Sequence, residues 1–279
     1  MKFLMIIIFL IPVSLKAKKR LFVSTYPLES ITKILLKNQK NIEVWNPVEG
    51  DFWIPNRKVI EKIKSSDLII INGANNEKWV SLFSLPRKKI VNTSKNLKRD
   101  WLKNRRGIIH SHGEKTHSHN GHDGNTWVSP RMFLKQISFL YKRLLSKDWV
   151  NQESLRKEFL AIQKNLQGLD NRFYVAMRGG NVLANHSYYN YLQKDYGIKI
   201  KSFNFDPSVD INLSDQFKIA TFLKNNSANQ IWWSSRPLKK NIQLLKRKFG
   251  LKSIVFKPLH IRSEKNYFTV MKENLEQIL

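Results

Sequence analysis

The chain has 279 residues, no cysteine, and 49 Lys and Arg against 21 Asp and Glu, a formal charge of +28. Without cysteine there is no disulfide framework, no thiolate metal site and no thiol for an amino-terminal lipid anchor, so any metal must be held by nitrogen and oxygen. The hydrophobic fraction of 42% with 11% aromatics suits a globular chain of one large or two modest domains. The basic residues are spread without a run of five, which reads as solvated surface with weak attraction to an anionic membrane surface rather than a nucleic-acid footprint.

The opening residues, MKFLMIIIFLIPVSLKAKKR, place Lys2 before an apolar run from Phe3 to Leu15, with the small residue Ala17 behind it. This is the pattern of an export signal cut after Ala17, although Leu15 fits the small-x-small rule poorly. The run of about 13 residues is short for a bilayer span. Export to the periplasm as a soluble protein is the expectation, and it excludes nucleic acid as a partner.

Beyond the signal, short β-rich runs alternate with helical periods. LFVSTY (21–26) predicts a strand, followed by helical spacing at Leu28, Ile31 and Leu35. IEVWNP (42–47) is a strand ending in proline, and Val59, Ile60 and Ile63 lie on one face of a short helix. DLIIING (67–73) is the continuous apolar run of a buried parallel strand, and KKIVNTS (88–94) is another strand. Met132, Phe133, Ile137, Leu140 and Leu144 mark a helix that Ser129 and Pro130 start. From 152 to 177 the apolar residues Leu155, Phe159, Ile162, Leu166, Leu169 and Phe173 make one stripe on a long helix. After RGGN (178–181), strands are expected at 182–186, 198–205, 230–234 and 253–259, with helices at 187–195, 214–225 and 237–248 between them. Two sets of βα units joined by one long helix imply an α/β protein of two lobes with a ligand cleft between them.

Five of the seven histidines fall in one stretch, HSHGEKTHSHNGHDGNTW (110–127). His110, His112, His117, His119 and His122, with Glu114 and Asp123, lie among too few apolar residues to form a packed element. Neutral imidazoles bind Zn²⁺, Cu²⁺ or Ni²⁺, so the loop reads as an accessory metal collector; the plainer reading is a disordered polar insertion. There is no Gly-rich phosphate loop, no Gly-x-Ser-x-Gly elbow and no His-Glu-x-x-His helix, so no enzyme is indicated.

Four segments carry a resemblance. VEGDFWIPNRKVIEKIKSSDLIIINGANNEKWV (48–80) is similar to a Gly-Ser-Asp-Pro-His-x-[Tyr/Phe]-Glu-Pro turn with its following helix, strand and Asn-Gly, Pro55 standing for the proline. GHDGNTWVSP (121–130) is similar to Asp-Pro-His-x-Trp-Leu-Ser-Pro through Trp127, Ser129 and Pro130. NHSYYNYLQKDYGIKI (185–200) is similar to His-Asp-Ala-Phe-x-Tyr-Phe-x-x-x-Tyr-Gly-Leu, with His186 on its histidine. The closing 253–279 segment matches Asp-Pro-Leu and Tyr-x-x-x-Met-x-x-Asn-Leu at Pro258, Leu259, Tyr267, Met271, Asn274 and Leu275. Together they resemble the periplasmic metal-binding proteins of bacterial ABC importers for zinc and manganese.

That resemblance implies parallel sheets flanked by helices in two lobes, one rigid linking helix, and a metal in the cleft held by three imidazoles and a carboxylate. The expected division is a signal peptide (1–17), an N-terminal lobe (18–150) carrying the His-rich loop (110–122), the linking helix (151–177) and a C-terminal lobe (178–279). The four ligand positions fall on Asp51, Asn125, His186 and Lys257, so one imidazole is kept and the acidic position is a lysine. Three readings stay open: metal held by Asp51, His186 and His260; an Asp51–Lys257 ion pair closing the cleft; or a pocket turned to another ligand. Read plainly, Asp51 and Asn125 are turn formers and His260 is a surface residue. The implied function is capture of a divalent ion, zinc first and manganese or another metal second, for an ABC permease, by a monomer. The alternative is a degenerate paralogue whose basic surface binds an anionic envelope component.

Overall fold

A computed structural model describes residues 17–50, 53–103 and 121–279, and the backbone alone at 109–112 and 115–118. Residues 1–16 of the expected signal peptide lie outside the described residues. Among the described residues no helix is long and apolar enough to cross a membrane.

The apolar runs become parallel strands. β1 (Lys19–Val23), β2 (Ile42–Trp45), β3 (Leu68–Ile71) and β4 (Ile90–Asn92) form one sheet in the order β2-β1-β3-β4. All four side chains of β3, LIII, are buried, as a strand covered on both faces requires. The His-rich stretch holds an antiparallel pair, β5 (Ile109–His112) and β6 (Lys115–Ser118), with His110 opposite His117. Such pairing needs only backbone groups and no apolar face, so it agrees with a stretch too poor in apolar residues to pack. A second parallel sheet, β7 (Asn181–Ala184), β8 (Lys199–Ser202), β9 (Gln230–Trp233) and β10 (Lys252–Val255), runs β10-β9-β7-β8. Read from its own first strand, it repeats the strand order of the first sheet.

Helices cover both sheets. The N-terminal lobe has α1 (Tyr26–Leu35), α2 (Arg57–Ser65) and α3 (Pro130–Leu145). Ser129 caps α3 by accepting from the Met132 N–H, with Pro130 just inside, as the sequence signal predicts. The linking helix α4 spans Gln152–Met177, capped by Asn151. The C-terminal lobe adds α5 (Asn190–Tyr196), α6 (Leu213–Asn225), α7 (Lys239–Phe249) and α8 (Tyr267–Ile278).

The stripe of α4 is the axis of the core. Leu155, Phe159, Ile162, Leu166, Leu169 and Phe173 are all buried, each contributing roughly 1.5–3 kcal/mol. They belong to one apolar cluster that reaches Leu21 and Ile70 in the first sheet and Trp232 and Ile254 in the second. The core is therefore continuous from lobe to lobe. Separate clusters cover the outer face of each sheet, around Ile60 and Trp79 in one lobe and Ile219 and Trp233 in the other.

Candidate metal centre

Open parallel sheets place ligand-binding residues just beyond the carboxyl ends of their strands. His186 lies two residues past the end of β7 and is 6% exposed. Its neighbour Asn185 fixes the turn: Nδ2 donates to the Phe205 carbonyl (2.9 Å), and Oδ1 accepts from the Ser234 N–H (2.8 Å). The His186 carbonyl accepts from the Ser202 hydroxyl at 3.2 Å. Tyr189 ties the same turn to the end of β10 by donating to the Phe256 carbonyl at 2.7 Å. Burial pushes the Tyr189 hydroxyl well above its ordinary pKa, so it remains a donor.

His260 reaches the same place from another strand end. β10 ends at Val255; Phe256 still donates its N–H to the Trp233 carbonyl at 2.9 Å, and then a side chain takes over: the Lys257 N–H donates to Asn274 Oδ1 and the Lys257 carbonyl accepts from Asn274 Nδ2, both at 2.9 Å. Trp127 Nε1 donates to the Pro258 carbonyl at 2.7 Å. Leu259 then takes a left-handed conformation, φ 60°, which turns the chain toward the N-terminal lobe. The His260 ring stacks on Tyr188 at 4.4 Å between centroids and 17° between planes, and Tyr188 stacks on His186 at 4.0 Å and 22°. Two imidazoles that near to one phenol cannot share a face without overlapping, so Tyr188 lies between them.

On its far side His260 lines a cavity whose other walls include Ser24, Trp53, Glu77, Trp127 and Arg262. Glu77 is held by its own loop: the Ser24 hydroxyl and the Asn72 N–H (2.7 Å) donate to Oε1, and the Gly73 N–H donates to Oε2 (2.9 Å). Burial pushes the Glu77 carboxyl up, against those three donors. Gly73 sits at φ +79° against Asn92, where a Cβ would lie 2.1 Å from the amide oxygen, so this turn admits only glycine. Arg262 crosses between the lobes. It contacts the buried Glu29 carboxylate of α1 at 2.8 Å and donates to the Asn46 carbonyl at 2.7 Å.

Asn125 opens the short turn before α3 but points into its own loop. Its N–H and Nδ2 both donate to Asp123 Oδ1, at 2.9 and 2.8 Å. The other Asp123 oxygen accepts from Asn190 Nδ2 on α5 at 2.9 Å, and the Asp123 carbonyl accepts from the Tyr191 hydroxyl. His122, at the foot of the His-rich stretch, packs edge-on against Trp101 at 5.2 Å. Asp100, just upstream, bridges Lys135 of α3 and Lys194 of α5 at 3.0 and 3.1 Å, and those lysines hold its carboxyl below the usual aspartate range.

Of the residues singled out by sequence, the structure thus brings His186 and His260 together. Asn125 is linked toward His186 through Asp123, which accepts from Asn190 and Tyr191 of α5. The Lys257 side chain is exposed and is not among the residues lining the cavity. Asp51 lies outside the described residues, though Gly50 and Trp53 on either side of 51–52 both line the cavity. His110, His112 and His117 are placed by backbone only, and His119 lies outside the described residues. Among the described residues no three His, Asp or Glu side chains converge as a ligand cluster. Sequence reasoning missed Tyr188, although the resembled motif has alanine there, and it missed the clamp made by Arg262.

Two lobes of parallel sheet joined by one linking helix are the architecture of a solute-binding protein of the metal-binding class. The chain belongs to the family described as zinc-uptake complex component A, periplasmic, which matches residues 21–279. The zinc-binding lipoprotein AdcA of Streptococcus pneumoniae is 25% identical over 279 aligned residues, covering 94% of this chain and 55% of that protein. This chain therefore spans about half the length of that relative. The high-affinity zinc uptake system protein ZnuA of Bacillus subtilis is 24% identical, covering 91% of this chain and 84% of the relative. The fold matches the metal-dependent lipoprotein YcdH of Bacillus subtilis (TM-score 0.76, 22% identity, 93% of this chain and 97% of that one). It also matches the Zn(II)-bound ZnuA-like domain of Streptococcus pneumoniae AdcA (TM-score 0.75, 22% identity, with the same coverage of both chains).

Proposed function

We propose that this protein captures a divalent metal ion, zinc in the first place, outside the cytoplasm and hands it to the permease of an ABC importer. The observation that carries the reading is His186. It is a buried imidazole at the carboxyl end of β7, stacked on one face of Tyr188, whose other face carries a second imidazole, His260. Zinc favours nitrogen and oxygen ligands in a tetrahedral set, and neutral imidazole is its usual nitrogen donor. Asp51 is the candidate oxygen ligand: it stands at the first ligand position of the resembled motif, between two residues that line the cavity. Manganese is the second candidate ion; a set with two imidazoles favours zinc over it.

The continuous core along α4 supports release through small shifts of the cleft loops rather than wide opening of the lobes. The histidines of 110–122 are proposed as an accessory collector that raises the local metal concentration near the cleft.

The test is isothermal titration of residues 18–279 with Zn²⁺ at neutral pH, beside the His186→Ala variant. Removal of His186 is expected to weaken the tight component at least ~10-fold, on the scale of changes that even supporting residues of metal sites produce. An unchanged tight component would remove His186 from the site and with it the cleft as the place of capture.

A further inference from the structure

We infer that Tyr188 is a gate within the metal cleft: its ring occupies the gap that a zinc ion bound by both His186 and His260 must close, so capture requires its displacement. This rests on the metal-capture reading above and adds the residue that sets the affinity.

His186, Tyr188 and His260 form a nearly parallel three-ring stack, with successive centroids 4.0 and 4.4 Å apart and tilts of 22° and 17°. The two imidazole centroids are therefore roughly 7–8 Å apart with a phenol between their planes, whereas two nitrogens on one zinc at about 2.0–2.1 Å each lie no more than roughly 4 Å apart. No placement of an ion satisfies both rings while the stack is intact. The metal site and the stack are alternative states of the same three side chains.

The surroundings decide which partner moves. Asn185, before His186, is tied to Phe205 and Ser234, and Tyr189, after Tyr188, is tied to Phe256. His260 follows the fixed Pro258–Leu259 turn, which Trp127 holds. The backbone on either side of the stack is thus pinned, and change falls to side-chain rotation. The resembled motif has alanine at the position of Tyr188, so the obstructing ring belongs to this chain's own sequence and not to the scaffold. A binding-competent state populated only in part lowers the apparent affinity by that fraction. Two stacked ring pairs hold the closed state by about 10–100-fold in the equilibrium constant.

Zinc affinity of residues 18–279, measured by competition with a chromophoric chelator at neutral pH, tests this in the wild type, Tyr188→Ala, and Tyr188→Ala combined with His260→Ala. Tyr188→Ala is expected to bind about 10–100-fold more tightly, and the gain is expected to vanish in the double variant. Circular dichroism checks that the variants are folded. Independently of any variant, proton NMR of the wild type is expected to show cross-relaxation between the Tyr188 ring and both imidazoles that disappears on zinc saturation. Unchanged or weaker binding by Tyr188→Ala, a gain that survives loss of His260, or a stack that persists with His186-dependent zinc bound would each overturn the gate. If the wild type binds zinc through His186 and only these gate outcomes fail, the capture reading stands. If neither the wild type nor Tyr188→Ala binds zinc in a His186-dependent way, both fall.

Discussion

At the scale of single residues, the chain carries charged groups whose burial only makes sense as part of the lobe junction. Glu29 is 2% exposed on α1, yet its carboxylate contacts Arg262, which belongs to the loop leading from the second sheet into α8. Lys33 of the same helix contacts Glu29 at 2.7 Å but is itself mostly exposed. The Arg262 guanidinium also rests on the Tyr26 ring at 5.7 Å. Replacing Arg262 by alanine leaves a buried carboxylate with one solvent-screened partner. The expected loss is about 1.5–3 kcal/mol in urea unfolding, the range for a hydrogen bond to a charged group. An effect within about 0.5 kcal/mol, the range of ordinary surface substitutions, would show that the clamp contributes nothing. Residue-scale features were also the least legible in the sequence. His186 was readable because its motif survives. His260 was readable only as a possibility, because the left-handed turn at Leu259 that aims it is not encoded by a glycine or asparagine. The lysine at the acidic ligand position is exposed, and its backbone groups are held by Asn274.

At the scale of elements, legibility follows period and length. The long helix was readable to the residue, because an uninterrupted stripe capped by Asn151 has no competing interpretation. Strand β3 was readable as a fully apolar run. Strand ends were not. The run at 198–205 stops at Ser202, and Asn204 adopts φ 59°, a left-handed residue that ends extended pairing. Helix α8 carries the motif residues Tyr267, Met271, Asn274 and Leu275, and its start is fixed by Asn266, which accepts from the Thr269 N–H. The linking helix contains one avoidable weakness. Gly168 lies in its interior on the exposed side, and a Cβ there would meet nothing within 4 Å. Gly168→Ala is expected to stabilise the protein by about 0.5–1 kcal/mol, through helix propensity and a less flexible unfolded chain, read as a higher urea midpoint with an unchanged slope. A lower midpoint would mean that α4 needs that glycine for a contact with something else.

At the scale of the whole molecule, two similar parallel sheets share one core and keep the scaffold of the zinc-uptake family. The strand alternation and the linking helix made that architecture legible from sequence; the state of the cleft was not, because it depends on three side chains that meet from two separate strand ends. The acidic groups are too few to pair the basic ones, and Asp100 is shared by two lysines, Lys135 and Lys194, which ties α3 to α5 near the root of the His-rich stretch. The cleft itself, and not only the histidines of 110–122, is expected to bind metal. Zinc K-edge X-ray absorption on protein lacking residues 110–122, loaded with one equivalent of Zn²⁺ and desalted, addresses this directly. Retained zinc is expected, with imidazole scattering at about 2.0–2.1 Å that weakens in the His186→Ala variant. Loss of zinc on desalting, or a first shell of oxygen alone that is indifferent to His186, would contradict it.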